Sequence, residues 1–272
     1  MNDQTLYDSI SADWTYSKKE ILKADQVQYF DSIGSTNDVL LEQARNETNT
    51  TIIPRLAVAD FQTSGRGRRG DAWLAPTEKN LLFSVLLPLN IEKKYWTRIP
   101  QLIAWTMGRT IESTIDPELR IEAKWPNDLY LAGKKLGGIL VETSMNQNAA
   151  AIVGVGLNVN IKSNEFPPEL SSIATSLYEH VGCESNRWYL LGQYLAILLN
   201  DFPSKVIEFE DCLSWIRERD YLRNRKIDIK QSGRKSHSKA IARGIGDEGQ
   251  LLVETENGKM ESIFSADQLV VC

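Results

Sequence analysis

The chain has 272 residues, a net charge of −5, and 42% apolar and 25% charged residues, the composition of a globular protein with room for one large domain and a small one. The acidic balance excludes a protein that coats nucleic acid, though not a local basic patch, and no run of about 18 apolar residues is available to span a membrane. Cys183, Cys212 and Cys272 lie far apart without CxxC spacing, and with only His180 and His237 beside them a Cys/His zinc site is excluded.

Residues 1 to about 25 are polar and mixed, either a short helix or a loose arm. Asp3, Asp8 and Asp13 with no apolar core exclude a signal peptide, so the expected location is cytoplasmic. Val27–Phe30 is a short strand. Ser35-Thr36-Asn37-Asp38 opens a helix, with Ser35 and Asp38 spaced as a capping box. The same hydroxyl and amide groups also suit a polar ligand at a helix start.

Leu56–Ala59 reads as a strand, and it feeds Gln62-Thr63-Ser64-Gly65-Arg66-Gly67-Arg68-Arg69-Gly70-Asp71-Ala72-Trp73. Glycine lets the backbone approach a ligand closely, and arginine offers a fork of donors to carboxylate or phosphate. The segment therefore reads as a loop closing over an anion. Two other readings are a solvated basic turn and an RNA-contacting Arg-Gly tract. It is not a P-loop, because no Lys-Ser or Lys-Thr follows Gly70.

Leu81–Leu87 is a buried strand stopped by Pro88, and Ile103, Met107, Ile111 and Ile115 mark an amphipathic helix. Lys124-Trp125-Pro126-Asn127-Asp128 then interrupts a strand with a cation, a proline and two ligand-type side chains. Lys134-Lys135 reads as a turn before the strand Leu136–Glu142, which begins with Gly137 and Gly138 close to the lysines. From Ala150 to Asn160 the residues alternate, with Gly154, Gly156, Asn158 and Asn160 on one face and four apolar residues on the other. Glycines so placed mark a strand that a ligand can lie against, or a close sheet contact. Helical pattern covers 188–199 and 204–221. After Leu222 come short strands with an Asn257-Gly258 hairpin signal, which predicts a small SH3-like β-barrel. Ten basic against three acidic residues from Arg217 to Arg243 suit a solvated surface, or a dock for an acidic protein or RNA.

Five of these segments, in order and spacing, resemble the motifs of the biotin protein ligases: Ser35-Thr36-Asn37, the Gly65–Gly70 loop with Gln62 and Trp73, Lys124–Asp128, Lys135–Leu140 and Gly154–Asn158. The resemblance implies an α+β fold, a mixed-sheet catalytic domain of the biotin/lipoate ligase type followed by the small barrel. The expected division is an N-terminal arm over 1–25, a catalytic domain over 26–222 and a C-terminal domain over 223–272.

The implied reaction forms biotinyl-5′-AMP from biotin and ATP with Mg2+, then transfers biotin to one lysine of the biotin carboxyl carrier protein of acetyl-CoA carboxylase. By resemblance Ser35, Thr36, Asn37, Gln62, Arg66, Gly67, Arg68, Lys135, Gly137, Gly138 and Gly156 hold biotin. Arg68, Arg69, Trp73, Lys124, Asn127 and Asn158 serve ATP, and Arg68, Lys135 and Lys124 act on the reacting groups. Gly154 lines the floor with Gly156. The resemblance specifies no metal ligands and allows a homodimer. Bifunctional relatives carry an N-terminal DNA-binding domain of about sixty residues. Ser35 comes too early for one, so no specific DNA binding is expected. The alternatives are a lipoate–protein ligase, a biotin-binding sensor without activity and a non-enzymatic RNA-binding protein.

Overall fold

Apolar runs of strand length, broken by proline and glycine, generate two sheets. The computed structural model describes residues 1–12, 14, 21–48, 51–145, 148–230, 238–266 and 268–272, apart from the side chains of Arg69 and Gln268. In chain order the elements are α1 (Asp3–Ser11), β1 (Val27–Phe30), α2 (Thr36–Asn46), β2 (Arg55–Ala59), β3 (Leu81–Pro88), α3 (Ile99–Thr114), β4 (Ile121–Lys124), β5 (Asp128–Leu131), β6 (Lys134–Met145), β7 (Ala149–Leu157), α4 (Tyr178–Val181), α5 (Arg187–Asp201), α6 (Ser204–Ile207), α7 (Glu210–Glu218), β8 (Lys226–Lys230), β9 (Ser238–Ile245), β10 (Leu251–Thr255), β11 (Met260–Ile263) and β12 (Gln268–Val271).

The first sheet has seven strands in the order β1-β2-β3-β7-β6-β5-β4. Only β1 and β2 run parallel; the remaining neighbours pair antiparallel. On one face Val153, Val155 and Leu157 of β7 join Leu102, Ile103 and Met107 of α3 and Leu191 and Leu195 of α5 in the main core. On the other, Ile152 and Leu86 meet Leu40 and Ala44 of α2 in a smaller cluster. Gly154 and Gly156 alternate onto the α2 face of the sheet. A floor without side chains is thereby left beside the start of α2.

Residues 3–11 form a helix rather than a loose arm. Asn2 caps it by accepting from the Thr5 N–H, and Leu6 and Ile10 are buried in the main core. The helical stretch over 204–221 is two helices, because Phe209, 5% exposed, turns into the core between α6 and α7. Lys134 and Lys135 already belong to β6 and are not a turn. Conversely β7 ends at Leu157, so Asn158 and Asn160 lie beyond it.

The second sheet has five antiparallel strands in the order β11-β10-β9-β8-β12. Its β10–β11 hairpin turns at Gly258, which has φ +75° as the Asn-Gly pair predicts. It docks at Gly249, whose carbonyl accepts from the side chains of Gln101 on α3 and Trp125 in the β4–β5 turn. Arg217 adds a bond from Nε to the Ile245 carbonyl at 2.8 Å and an ion pair with Asp247.

Candidate functional site

A cavity of about 240 Å³ opens between the α2 end of the first sheet, the Arg-Gly loop and the β11–β12 connection. Its wall brings together Ser35, Thr36, Asn37, Gln62, Arg66, Gly67, Arg68, Trp73, Lys124, Asn127, Lys135, Gly138, Gly154 and Gly156. All five sequence segments reach it.

The chain's own pairing places the loop. After β2, Gln62 bridges Ile33 in parallel, and Thr63 and Ser64 donate to the carbonyls of Ile33 and Gly34. That extension sets Gln62 beside Thr36. The loop then doubles back: Gly67 N–H donates to Asp71 O at 2.7 Å and Trp73 N–H to Gly65 O at 2.9 Å. The turn between them is the short 3-10 segment Arg68–Gly70, closed by Gly70 at φ +80°.

The expected capping box does not form. Ser35 is the N-cap of α2, but its side chain makes no cap hydrogen bond. The Thr36 N–H is met by Gln62 Oε1 at 2.8 Å. Asp38 is drawn outward to Arg66, which grips it bidentately at 2.7 and 2.8 Å. The same guanidinium reaches Glu142 Oε2 at 3.0 Å. These two carboxylates hold its pKa above the ordinary arginine value, the bond to Asp38 contributing most.

Trp73 lies across the floor. A Cβ at Gly156 would overlap its indole, and one at Gly138 would sit 3.1 Å from it. Lys135 Nζ stands 5.7 Å over the same ring and pairs with Asp128 Oδ1 at 2.9 Å. Lys124 Nζ donates to Tyr130 O–H at 3.1 Å and stacks over that ring. Burial, with Asp128 nearby, raises the Tyr130 phenol to about 12, so it stays protonated at neutral pH. Asn127 Nδ2 donates to the Ile139 carbonyl at 2.6 Å. Arg68 reaches the other sheet, donating to the Ala266 carbonyl at 3.2 Å.

Two of the residues expected at the site stand outside the cavity wall. Gly137 faces away from the floor, where a Cβ would meet the Gly156 carbonyl at 3.0 Å and Leu157 at 3.1 Å. Asn158, past the end of β7, donates from Nδ2 to Thr175 O at 3.0 Å and ties down the 173–177 segment. The Arg69 side chain lies outside the described residues. Of the basic 217–243 stretch, Arg217, Arg219 and Arg243 are paired with Asp247, Glu112 and Glu254, and residues 231–237 also lie outside the described residues.

The structure adds residues the motifs did not supply. Ser84, the one polar residue inside the apolar run of β3, faces the glycine floor, and its alternation with Phe83 and Val85 was the available signal. Glu142 ends the apolar part of β6 on the same side. Ala266 and Leu269 come from the second sheet, and nothing local in the sequence marks them.

The wall thus offers four cations, Arg66, Arg68, Lys124 and Lys135, over a floor of bare backbone, with the carboxylates Asp71 and Asp128 among them. Such a site can neutralise a polyphosphate and hold a flat polar ring. No group of three or more His, Cys, Asp or Glu side chains converges as a metal cage among the described residues.

Comparison with known proteins agrees with this geometry. Residues 29–160 match the biotin/lipoate A/B protein ligase family. The bifunctional ligase/repressor BirA of Bacillus spizizenii is 33% identical over 256 residues, an alignment covering 88% of this chain and 72% of that protein. The biotin–[acetyl-CoA-carboxylase] ligase of Mycobacterium tuberculosis is 27% identical over 244 residues, with 87% and 85% covered. Among solved structures, the Aquifex aeolicus biotin protein ligase in complex with biotin and ATP superposes with a TM-score of 0.75 at 28% identity, covering 91% of this chain and 99% of that one. A relative one-third identical over nearly three-quarters of its own length, and a shared fold that includes the second sheet, leave one assignment: the chain belongs with the biotin protein ligases in the biotin/lipoate A/B protein ligase family.

Proposed function

We propose that this chain joins biotin to a lysine of a biotin carrier protein at the expense of ATP. The observation that carries the reading is the convergence of Thr36, Gln62, Arg66, Arg68, Lys124 and Lys135 on one cavity over Gly138, Gly154 and Gly156. In the first step a biotin carboxylate oxygen bonds to the α-phosphorus of ATP, and the bond to the pyrophosphate leaving group breaks. Two anions must approach each other, so positive charge fixed in place lowers the barrier. Lys135, held by Asp128, and Arg68, at the loop turn, are the groups we assign to the carboxylate and α-phosphate. We assign Lys124 and Asn127 to the nucleotide side with Trp73, and Ser35, Thr36, Asn37 and Gln62 to the biotin ring.

In the second step the carrier lysine amine attacks the acyl carbon, a C–N bond forms, and AMP leaves. The loop excludes water, which would otherwise hydrolyse the adenylate. The catalytic unit we infer is residues 26–222, and 223–272 close the site through Ala266 and Leu269.

Mg2+ fits as a companion of ATP rather than a resident of the protein. Mg2+ commonly binds through phosphates and one or two carboxylates, and Asp128 is the carboxylate beside Asn127 and Lys135 that suits it. Its role is to neutralise phosphate charge. The carrier subunit of acetyl-CoA carboxylase is the protein substrate we infer, with the cytoplasm as the setting. Among the described residues before Ser35, Leu6, Ile10 and Leu22 are buried in the main core, which supports the reading that these residues serve the fold and not DNA. A gel shift on biotin-operon promoter DNA that showed specific binding would remove that part.

The test is pyrophosphate release from ATP and Mg2+, with biotin or lipoate and no carrier. Biotin-dependent release limited to about one equivalent per enzyme is expected, because the adenylate is formed and retained. Lipoate dependence would replace the substrate, and release with neither acid would defeat the ligase reading.

A further inference from the structure

Glu142, Asn37, Ser84, Thr36 and Gln62 form a line of hydrogen bonds beneath the cavity, and the line has a direction. It begins at Glu142, which belongs to none of the residues assigned to substrate above. A carboxylate paired with a guanidinium only accepts, so the end of Asn37 that meets Glu142 Oε2 at 2.7 Å is Nδ2. Asn37 Oδ1 is thereby turned toward Ser84 Oγ, which donates to it at 2.6 Å. A hydroxyl has one proton. In its 2.7 Å contact with Thr36 Oγ1, Ser84 therefore accepts and Thr36 donates. No proton remains on Thr36 Oγ1 for Gln62 Oε1, 3.2 Å away. Gln62 Oε1 takes the Thr36 backbone N–H instead, which leaves Nε2 as the uncommitted end of that amide.

Burial makes this polarity binding. Thr36 and Asn37 are 3% exposed and Ser84 is fully buried, so each group depends on its protein partner. Gly154 makes room for the line, since a Cβ there would overlap Asn37 Oδ1. At the cavity the outcome is a Thr36 hydroxyl oxygen that only accepts, beside a Gln62 amide nitrogen that only donates. That pair complements a ligand carrying an N–H next to a carbonyl, the pattern of a cyclic urea.

We propose that Glu142 and Ser84 are positioning residues that fix, through Asn37 and Thr36, which cavity atoms donate and which accept, and so select the ureido group of biotin. This rests on the ligase reading above.

Two variants test it. Ser84→Ala cuts the line between Asn37 and Thr36 and leaves the Glu142–Arg66 pair in place. Glu142→Gln keeps the side-chain volume but lets the anchor donate as well as accept. For each, kcat and KM for biotin and for ATP are measured by pyrophosphate release. The measurements are repeated with the two cyclic-carbamate analogues in which one or the other ureido N–H is replaced by oxygen. The wild type should discriminate against the analogue that sets its oxygen against Thr36 Oγ1, where two acceptors face each other.

In Ser84→Ala the Thr36 hydroxyl regains a proton to give. KM for biotin should rise about tenfold, equivalent to about 1.4 kcal/mol, discrimination against that analogue should fall by a similar factor, and KM for ATP should stay within about twofold. Glu142→Gln should move discrimination the same way. A lower melting temperature with unchanged discrimination in both variants would show a merely structural role and overturn the proposal. Absence of biotin-dependent release by the wild type would overturn the ligase reading and the ureido selection with it, an outcome separate from unchanged discrimination in the variants.

Discussion

Arg68 stands at the turn of the loop, and its guanidinium reaches the Ala266 carbonyl in the connection between β11 and β12. Removing it should free the loop from the phosphate without unmaking the hairpin, whose bonds are between backbone groups of Gly65, Gly67, Asp71 and Trp73. Arg68→Gly should therefore still form biotinyl-AMP but release it, with pyrophosphate production running past one equivalent and bystander proteins labelled. Unchanged selectivity for the carrier, scored by blotting a mixed lysate, would count against the assignment. The same residue shows how far the sequence could be read. Glycine and arginine alternation suggested a loop closing over an anion but left a solvated basic turn and an RNA-contacting tract open, and only the accompanying motifs favoured the first. The partner at Ala266 was not legible, since it comes from a strand connection about two hundred residues away with no motif of its own.

Between the sheets the chain passes through Asp220, where it bridges Ala123 in parallel and extends the edge strand β4. Its Oδ1 accepts from the Leu222 N–H at 2.9 Å, but its Oδ2 is shielded and has no hydrogen-bond partner among the described residues. Burial raises its pKa from 3.8 to about 6, outweighing the Leu222 N–H and Arg223, while Glu122 pushes it the same way as burial. An acid held above its unfolded value binds its proton more tightly when folded. Stability linked to Asp220 is thus fully present below about 4, is lost as pH climbs through about 6, and stays lost above it. Asp220→Asn keeps the oxygen that takes the Leu222 N–H. Its melting temperature should exceed the wild type's at pH 7.5, and the gain should vanish near pH 4. A gain independent of pH would refute the linkage. Element by element, the strands and α3 were legible because period-2 and period-4 apolar patterns are local. The α6–α7 break and the packing of α1 were not, because each depends on what the core already holds at Phe209 and at Leu6 and Ile10.

At the scale of the whole molecule, the cavity is complete only when both sheets are in place. Their junction turns on Gly249, at φ +80° with the Gln101 amide against the position a Cβ would take. Gly249→Val should cost about 1–3 kcal/mol in backbone strain and more through displaced Gln101. The second sheet would then shift and the Arg68 anchor with it, so a lower melting temperature and faster loss of the adenylate should appear together. Gly258→Asn, at a hairpin tip with φ +75° and nothing within 4 Å, should leave both unchanged and serves as the control. One further consequence is optical. Of the seven tryptophans in the chain, Trp73 is the one carried by the loop, and its indole Nε1 is shielded without a hydrogen-bond partner among the described residues. Its ring covers Gly156 and lies beneath the Lys135 ammonium. A substrate that comes to rest on that glycine must lift the indole and change the charge above it. Intrinsic fluorescence should therefore shift in wavelength and intensity as substrate binds, Trp73→Phe should abolish most of the shift, and stopped-flow emission would time the loop's movement without any label.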